Sequence, residues 1–469
     1  MEKEQGSEST VSGSQSIKEE EMAEEKEAPK RVSRRQFVKG AAVGGAGVAA
    51  AGVLASCAPA ATPAPTAAPD ATATAVPAQV CPPFPTPWLP EKWDEEADVV
   101  VVGCGAAGSS AAIDAHDAGA DVLIVERLDY VGGSMRRCGG CTFGAGTIVQ
   151  KACGIEDGPD EAYEYLVALG EGFTDPALHR VLADNCGKNV DWIIEDLGGE
   201  IPFVLTDDPG KQTLTPGLNS IYVAAQLYYE ELGLPYKVRG HTFTPAPGYV
   251  VHDDLGWDGW KGGLTGGTGL WKPFEDAVTA RNIRTMLEKP LIELVATPDR
   301  EVLGVRVLSG GEPVIESRPM FGKAGMQEEP AIVGFTGGEP LYIKAKKGVV
   351  LGTAGFTQNL RMLKDYTPLD KRFTVNHPDH DHGEGIIAAH AIGADLTNMV
   401  FGGEPGGLRI SPRAQVIDVF GNPIPRLYAG GQVAGGNVAS KYSGGLWTAT
   451  AICFGRIAGQ NAAAEESWE

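Results

Sequence analysis

Four adjacent valines, Val99–Val102, run from Asp98 to Gly103, and a second apolar run, Val122–Val125, ends at Glu126. Runs with no polar alternation read as strands covered on both faces, as in a parallel sheet. The small-residue stretch Ala106–Ala118 between them reads as a helix, and Gly119 is placed to stop it. Amphipathic spacing predicts helices over Asp160–Leu169 and Pro176–Leu197. Gly266-Gly-Thr-Gly269 opens a helix over Leu270–Arg281, followed by strands at Leu291–Val295 and Val302–Val307. A strand from Ile343, ending in Val349-Val-Leu351, leads into Thr353-Ala-Gly-Phe356, and a strand at Ile424–Tyr428 precedes a last helix from about Gly445 to Ala464. Strands alternating with helices predict an α/β fold with a Rossmann-like domain.

The turn after the first strand is Gly103-Cys-Gly105-Ala106-Ala107-Gly108. This G-x-G-x-x-G sits between strand and helix, with an acid closing the second strand, which is the context the dinucleotide fingerprint requires. Gly103 makes the tight turn, Gly105 lets backbone approach a pyrophosphate, and Gly108 lets helix and strand pack closely. The helix N-terminus supplies N–H groups for the phosphates. Glu126 is placed to accept from the hydroxyls of an adenosine ribose.

Length and charge narrow the function. A chain of 469 residues predicts two or more domains, and a net charge of −22 argues against nucleic acid as a partner. Eight irregularly spaced cysteines make no disulfide framework. Near the N-terminus, Ser33-Arg34-Arg35-Gln36-Phe37-Val38-Lys39 resembles the twin-arginine export motif. The run after it, Ala41–Ser56, is too short and weakly apolar for a stable membrane span. It ends Val53-Leu-Ala-Ser-Cys57, which resembles a bacterial lipobox and implies cleavage and lipidation at Cys57; an uncleaved anchor helix is the alternative. Either places the body outside the cytoplasmic membrane, in the periplasm or cell envelope. The Pro/Ala/Thr-rich stretch that follows cannot build a core and makes a tether of about 3 Å per residue.

Beyond Glu126 the chain reads Arg127-Leu-Asp-Tyr-Val-Gly132-Gly133-Ser134 and then Cys138-Gly139-Gly140. With the segments at Gly266–Gly269, Thr353–Phe356 and Tyr428-Ala-Gly-Gly431-Gln432, it resembles the fumarate reductase/succinate dehydrogenase flavoprotein family, in that family's order. The resemblance implies FAD, bound non-covalently. It implies contacts from Gly103, Gly105, Ala106, Ala107, Gly108, Glu126 and Arg127. Gly132, Gly133, Ser134, Cys138, Gly139 and Gly140 follow along the pyrophosphate and flavin edge. Leu291 and the group Thr353, Ala354 and Gly355 come next. Gly431, Gln432, Gly444, Gly445 and Leu446 are implied around the flavin, where a helix N-terminus favours negative charge on its N1/C2 side. Gln432 stands where the family usually has an acid.

The catalytic residues of the dicarboxylate enzymes are missing. The cap after Phe356 is short, Glu404-Pro-Gly-Gly407 replaces a histidine motif, and Tyr442 replaces an arginine. Dicarboxylates need cationic partners, so fumarate and succinate are disfavoured. Tyr442-Ser-Gly-Gly445 resembles the branch acting on 3-ketosteroids and related enones, where a tyrosine and a backbone N–H hold a carbonyl oxygen. Leu446 takes the place of a later glycine; its N–H serves as well, while its side chain narrows the site. Tyr442 is the first catalytic candidate. The second is His241, expected on a loop with Arg239 in an aromatic-rich stretch from Tyr228 to Trp260. Cys138-Gly-Gly-Cys141 leaves open a redox disulfide or plain loop packing. The histidines and aspartates from His377 to His382 leave open a metal or, with more weight, a solvated loop.

These readings divide the chain into a signal (1–57), a linker (58–93) and an FAD-binding body in three pieces (94–150, 263–356, 406–469). A helical, aromatic-rich insert covers 151–262 and a short cap 357–405. The expected activity is hydride transfer between flavin N5 and a C–C bond beside a carbonyl of a small-molecule substrate. An external carrier, a quinone or cytochrome, exchanges the electrons, because the chain has no haem or iron–sulfur motif. A flavin-carrying electron-transfer lipoprotein with a degenerate site is the alternative, and a dicarboxylate reductase the second.

Overall fold

The computed structural model describes residues 89–201, 229–243, 266–322, 325–366, 381–399, 406–437 and 443–469. The chain opens with β1 (Glu95–Val102), α1 (Ala106–Asp117) and β2 (Val122–Val125). Next come β3 (Cys141–Phe143), α2 (Ile148–Ala152), α3 (Pro159–Gly170), α4 (Pro176–Glu195), α5 (Tyr229–Leu232) and β4 (Gly240–Thr242). The middle holds α6 (Gly266–Ala280), β5 (Arg284–Met286), β6 (Leu291–Ala296), β7 (Val302–Ser309), β8 (Glu312–Gly322), β9 (Gly325–Thr336) and β10 (Glu339–Leu351). The last part contains α7 (Leu360–Tyr366), α8 (Glu384–Ala391), β11 (Leu396–Thr397), β12 (Gly407–Arg409), β13 (Gln415–Ile417), β14 (Pro423–Ala429), β15 (Ala434–Gly435) and α9 (Leu446–Ala463).

The apolar runs form the expected parallel sheet. Its order is β14-β10-β1-β2-β5, with Val99 opposite both Gly348 and Val122, and β13 added antiparallel at one edge. β7 and β6 extend it antiparallel to the first half of β10. Val99, Val100, Val101 and Ile124 are fully buried, as two-sided coverage demands. The C-terminal ends of β1, β2 and β10 converge on one crevice, where ligands of such sheets bind.

Two helices cross the sheet in close contact. A side chain at Gly455 or Gly459 of α9 would collide with the backbone of α1 at Ala107 or Ala111. The Phe454-Gly-Arg-Ile-Ala-Gly459 sequence is therefore a packing motif that lets two backbones meet. Arg456 fastens the crossing, donating from Nε to Asp114 Oδ2 at 3.0 Å and lying 4.0 Å over the Trp192 ring. α3 and α4 stand as expected. They share a second core with Phe143, Leu446 and Cys453, so the insert packs on β3 and α9.

One element was not foreseen. Residues between β7 and β10 carry prolines and charges, yet β8 and β9 form a long antiparallel hairpin with Ser317 opposite Pro330. Pairing along the hairpin overrides the poor strand propensity of its residues. The export motif, Cys57 and the linker up to residue 88 lie outside the described residues.

Candidate functional site

Glycines at the crevice divide by what surrounds them. A Cβ at Gly103 (φ +92°) would stand 2.7 Å from the Gly352 carbonyl oxygen, and one at Gly108 would collide with the Gly103 carbonyl. Both are needed for chain-to-chain contact. Gly105 differs: a Cβ there meets nothing within 4 Å, although its backbone is extended. Its missing side chain leaves open space at the N-terminus of α1, which has no side-chain cap and no acid in its first turn. Such an end, with an approach kept clear among the described residues, has the N–H groups and dipole that favour an anion. Gly133 faces Gly105 across it, with a Cβ direction reaching 3.9 Å from the Gly105 Cα. Gly132 (φ +105°) turns the chain against Trp271, and its N–H donates to the Cys104 carbonyl at 2.8 Å.

Glu126 is buried, and its carboxylate accepts from the Cys104 N–H at 2.7 Å and the Leu128 N–H at 2.9 Å. It thereby ties the fingerprint loop to the end of β2. Burial raises its pKa above the usual carboxylate value, against the backbone donors of Leu128, Cys104 and Arg127. A carboxylate offers about four lone-pair sites, so capacity remains for a ribose hydroxyl. The Arg127 Nε lies 3.3 Å from Glu384 Oε1 at the start of α8, and its guanidinium lies 5.7 Å over Phe335.

The other wall follows β10 and β14. Thr353, Ala354 and Gly355 leave the end of β10, and Thr353 Oγ1 is buried with no hydrogen-bond partner among the described residues. An orphaned hydroxyl beside an open anion site fits a ligand rich in oxygens. Gly431 (φ +82°) points its missing side chain at Ala107 Cβ, 3.1 Å away, and begins a 3-10 turn containing Gln432. Ser134 lies in the turn Gly133–Arg137, and Gly140 has φ +74°. Gly267 brings the start of α6 onto the Arg136 and Cys138 carbonyls. Leu291 begins β6, buried opposite Val307.

At the far end Gly445 (φ +76°) caps α9 without a side-chain bond. Its carbonyl accepts from the Phe143 N–H at 3.0 Å, and a Cβ on it would stand 2.6 Å from the Thr142 carbonyl carbon. Gly444 is buried beside Ser443. Leu446 departs from expectation. Its side chain is fully buried in the second core, and its N–H donates to the Ser443 carbonyl at 3.1 Å. It therefore neither narrows a substrate site nor offers that N–H. Tyr442, the first catalytic candidate, lies outside the described residues, as do Tyr228, Tyr249, His252, Trp257 and Trp260.

His241 also departs from expectation. It sits on β4 rather than a loop, and it is buried. Its Nδ1 lies 3.0 Å from the Arg239 carbonyl and its Nε2 2.9 Å from Thr147 Oγ1. A carbonyl only accepts, so Nδ1 carries the proton and Nε2 accepts from the hydroxyl. Burial lowers the imidazole pKa to about 4, so the ring is neutral at pH 7 and both nitrogens are engaged within the protein. This is a scaffold position and not a proton donor. Arg239 is likewise interior, donating from Nε and Nη2 to the two oxygens of buried Asp157, each at 2.7 Å.

Cys138 and Cys141 are free thiols, and burial pushes Cys141 up to about 12 and Cys138 also upward, away from thiolate chemistry. His377, Asp379 and His380 lie outside the described residues, and no metal-binding cluster occurs among the described ones. Asp381 and His382 are buried instead of solvated: Asp381 Oδ2 accepts from Thr357 Oγ1 at 2.8 Å, and burial pushes its pKa up to about 6.

Sequence reasoning missed Glu384, at the start of α8, and the pairing of Arg239 with Asp157. No local pattern announces the second, since its members stand 82 residues apart. The acid after Gly383 was a readable signal for the first, because acids favour the first turn of a helix.

A family model described as an FAD binding domain matches residues 98–402. The chain is 27% identical over 319 residues to the NADH:fumarate oxidoreductase of Klebsiella pneumoniae, covering 68% of this chain and 26% of that protein. It is 29% identical over 350 residues to the 3-oxosteroid 1-dehydrogenase of Mycolicibacterium smegmatis, covering 65% of this chain and 55% of that protein. It thus spans from about a quarter to about half the length of these curated relatives. The solved 3-ketosteroid-delta4-(5alpha)-dehydrogenase from Rhodococcus jostii superposes with a TM-score of 0.61 at 21% identity, covering 80% of this chain and 98% of that one, a likeness of fold.

Proposed function

The chain belongs to the FAD-binding-domain family, and from that premise we propose that it is an oxidoreductase acting on a carbon–carbon bond beside a carbonyl. The substrate class is a small enone or ketosteroid-like molecule. FAD, held non-covalently, supplies the hydride acceptor or donor. The protein's own groups do the rest. Gly103–Gly108 and the start of α1 receive the pyrophosphate, and Glu126 the ribose. The start of α9 offers a positive end to charge that develops on reduction.

Tyr442 donates to the substrate carbonyl and stabilises the enolate-like charge that grows as hydride moves. The observation that carries this reading is the start of α9. Ser443 and Gly445 are fixed there without a side-chain cap, directly after a tyrosine where the dicarboxylate enzymes keep an arginine. The name of the Mycolicibacterium relative accords with it. Hydride-derived electrons pass to or from a quinone or cytochrome. The twin-arginine motif and Cys57 support export and lipid anchoring, with residues 58–93 as tether to the three-part FAD body, insert and short cap.

The short cap favours one rival, an electron-transfer lipoprotein with no substrate of its own. The test is anaerobic reduction of the full-length protein followed by mixing with ketosteroid enones, fumarate or one-electron acceptors. Reoxidation by an enone, slowed about 10²-fold in Tyr442→Phe, is expected. Reoxidation by one-electron acceptors alone would make the protein a carrier, and reoxidation by fumarate would make it a dicarboxylate reductase.

A further inference from the structure

The start of α9 is held from one side by two aromatic residues on different elements. Phe143 of β3 donates its N–H to the Gly445 carbonyl at 3.0 Å. Tyr165 of α3 places its hydroxyl 3.1 Å from Ser443 Oγ. The two rings stack with centroids 6.1 Å apart and planes 6° apart. The Arg239 guanidinium lies 5.9 Å from the Phe143 ring and 5.4 Å from the Tyr165 ring. It is locked there by its two bonds to Asp157, which also accepts from the Gly158 N–H and Gln150 Nε2. Through this hydroxyl pair a side chain of α3 reaches Ser443, two residues before the α9 cap.

We infer that Tyr165 and Ser443 are positioning residues for the reduction step: their hydrogen bond holds the α9 N-terminus in register with the flavin and so sets the reduction potential. The inference rests on the proposed flavoprotein reading. Reduction adds negative charge to the cofactor, and a helix N-terminus stabilises that charge only within about a turn, so a small displacement weakens it. Tyr165 and Ser443 act through the helix and need touch neither cofactor nor substrate.

The test is a spectroscopic redox titration of the full chain with its bound FAD, comparing wild type, Tyr165→Phe, Ser443→Ala and the double variant. Both single variants are expected to retain FAD. Their preference for the reduced over the oxidised cofactor falls about tenfold, a drop of about 30 mV for a two-electron couple. The double variant matches either single one, because all three break the same bond. If one single variant fails to fold, the other still reads the same bond. An unchanged potential in a flavin-loaded single variant, or shifts that add in the double, would overturn the inference alone. A wild-type protein that binds no FAD would overturn the flavoprotein reading and the inference with it.

Discussion

Around the phosphate end of the crevice the chain contributes backbone, through Gly103, Gly105, Gly108 and the start of α1. Around the start of α9 it contributes buried side chains: Tyr165, Ser443, Arg239, Asp157, Thr147 and His241. The first region needs residues small enough to leave room, and it recognises charge by N–H groups already aligned by the helix. The second region needs polar groups that satisfy one another away from water, and each lost partner leaves a buried orphan. On the proposed reading, the backbone cradle would bind the part of the cofactor that does not change during reaction, and the side-chain lattice would hold the start of α9 still while charge appears. The two regions fail in different ways, and the difference is measurable.

The largest effect is expected at Gly108. Its Cβ direction runs into the Gly103 carbonyl, so Gly108→Val separates α1 from β1. No folded, flavin-bearing protein is expected, as judged by circular dichroism and flavin content. A folded variant that binds FAD would mean the cradle is looser than its geometry.

The second effect is acid sensitivity of the lattice. Burial lowers both His241 and His179 to about 4, against 6.5 when unfolded. Between pH 6.5 and 4 these two imidazoles bind protons in the unfolded chain that they do not bind in the folded one, so their contribution to stability falls as pH falls through that window, while Asp381 contributes in the opposite direction. His241 alone accounts for roughly 3 kcal/mol of this loss by pH 4. Urea unfolding at several pH values should show it, and His241→Gln should flatten the slope. An equal slope in that variant would place the proton uptake elsewhere.

The smallest effect separates the two uses of glycine within the cradle. Gly105→Ala meets no protein atom and suits the extended backbone. The free protein should be as stable as wild type or up to about 1 kcal/mol more stable. FAD binding should nonetheless weaken about tenfold, measured by flavin fluorescence, since the methyl enters the space left for the phosphates. Unaltered affinity would place the pyrophosphate away from Gly105.

Legibility followed the same division. The cradle was readable because its requirement is local: a glycine spacing between an apolar strand and a small-residue helix. By contrast, the role of Gly455 and Gly459 in letting α9 meet α1 emerges only from the packing. The lattice was unreadable because its partners are distant in sequence. Arg239 and His241 looked like loop residues until β3 paired with β4 and buried them. Leu446 looked like a residue facing substrate, but the direction of its side chain depends on how α3 and α4 cover α9. The β8–β9 hairpin was missed because cross-strand pairing, invisible along one strand, decides it.

The measurement closest to the central claim is the absorbance spectrum of the full-length protein after purification, before and after acid precipitation. Bands near ~370 and ~450 nm, released into the supernatant by acid, are the expected result for FAD held without a covalent bond. A well-folded protein that remains colourless after incubation with FAD would contradict the account, because the open space at Gly105 and the orphaned Thr353 hydroxyl would then serve some other ligand.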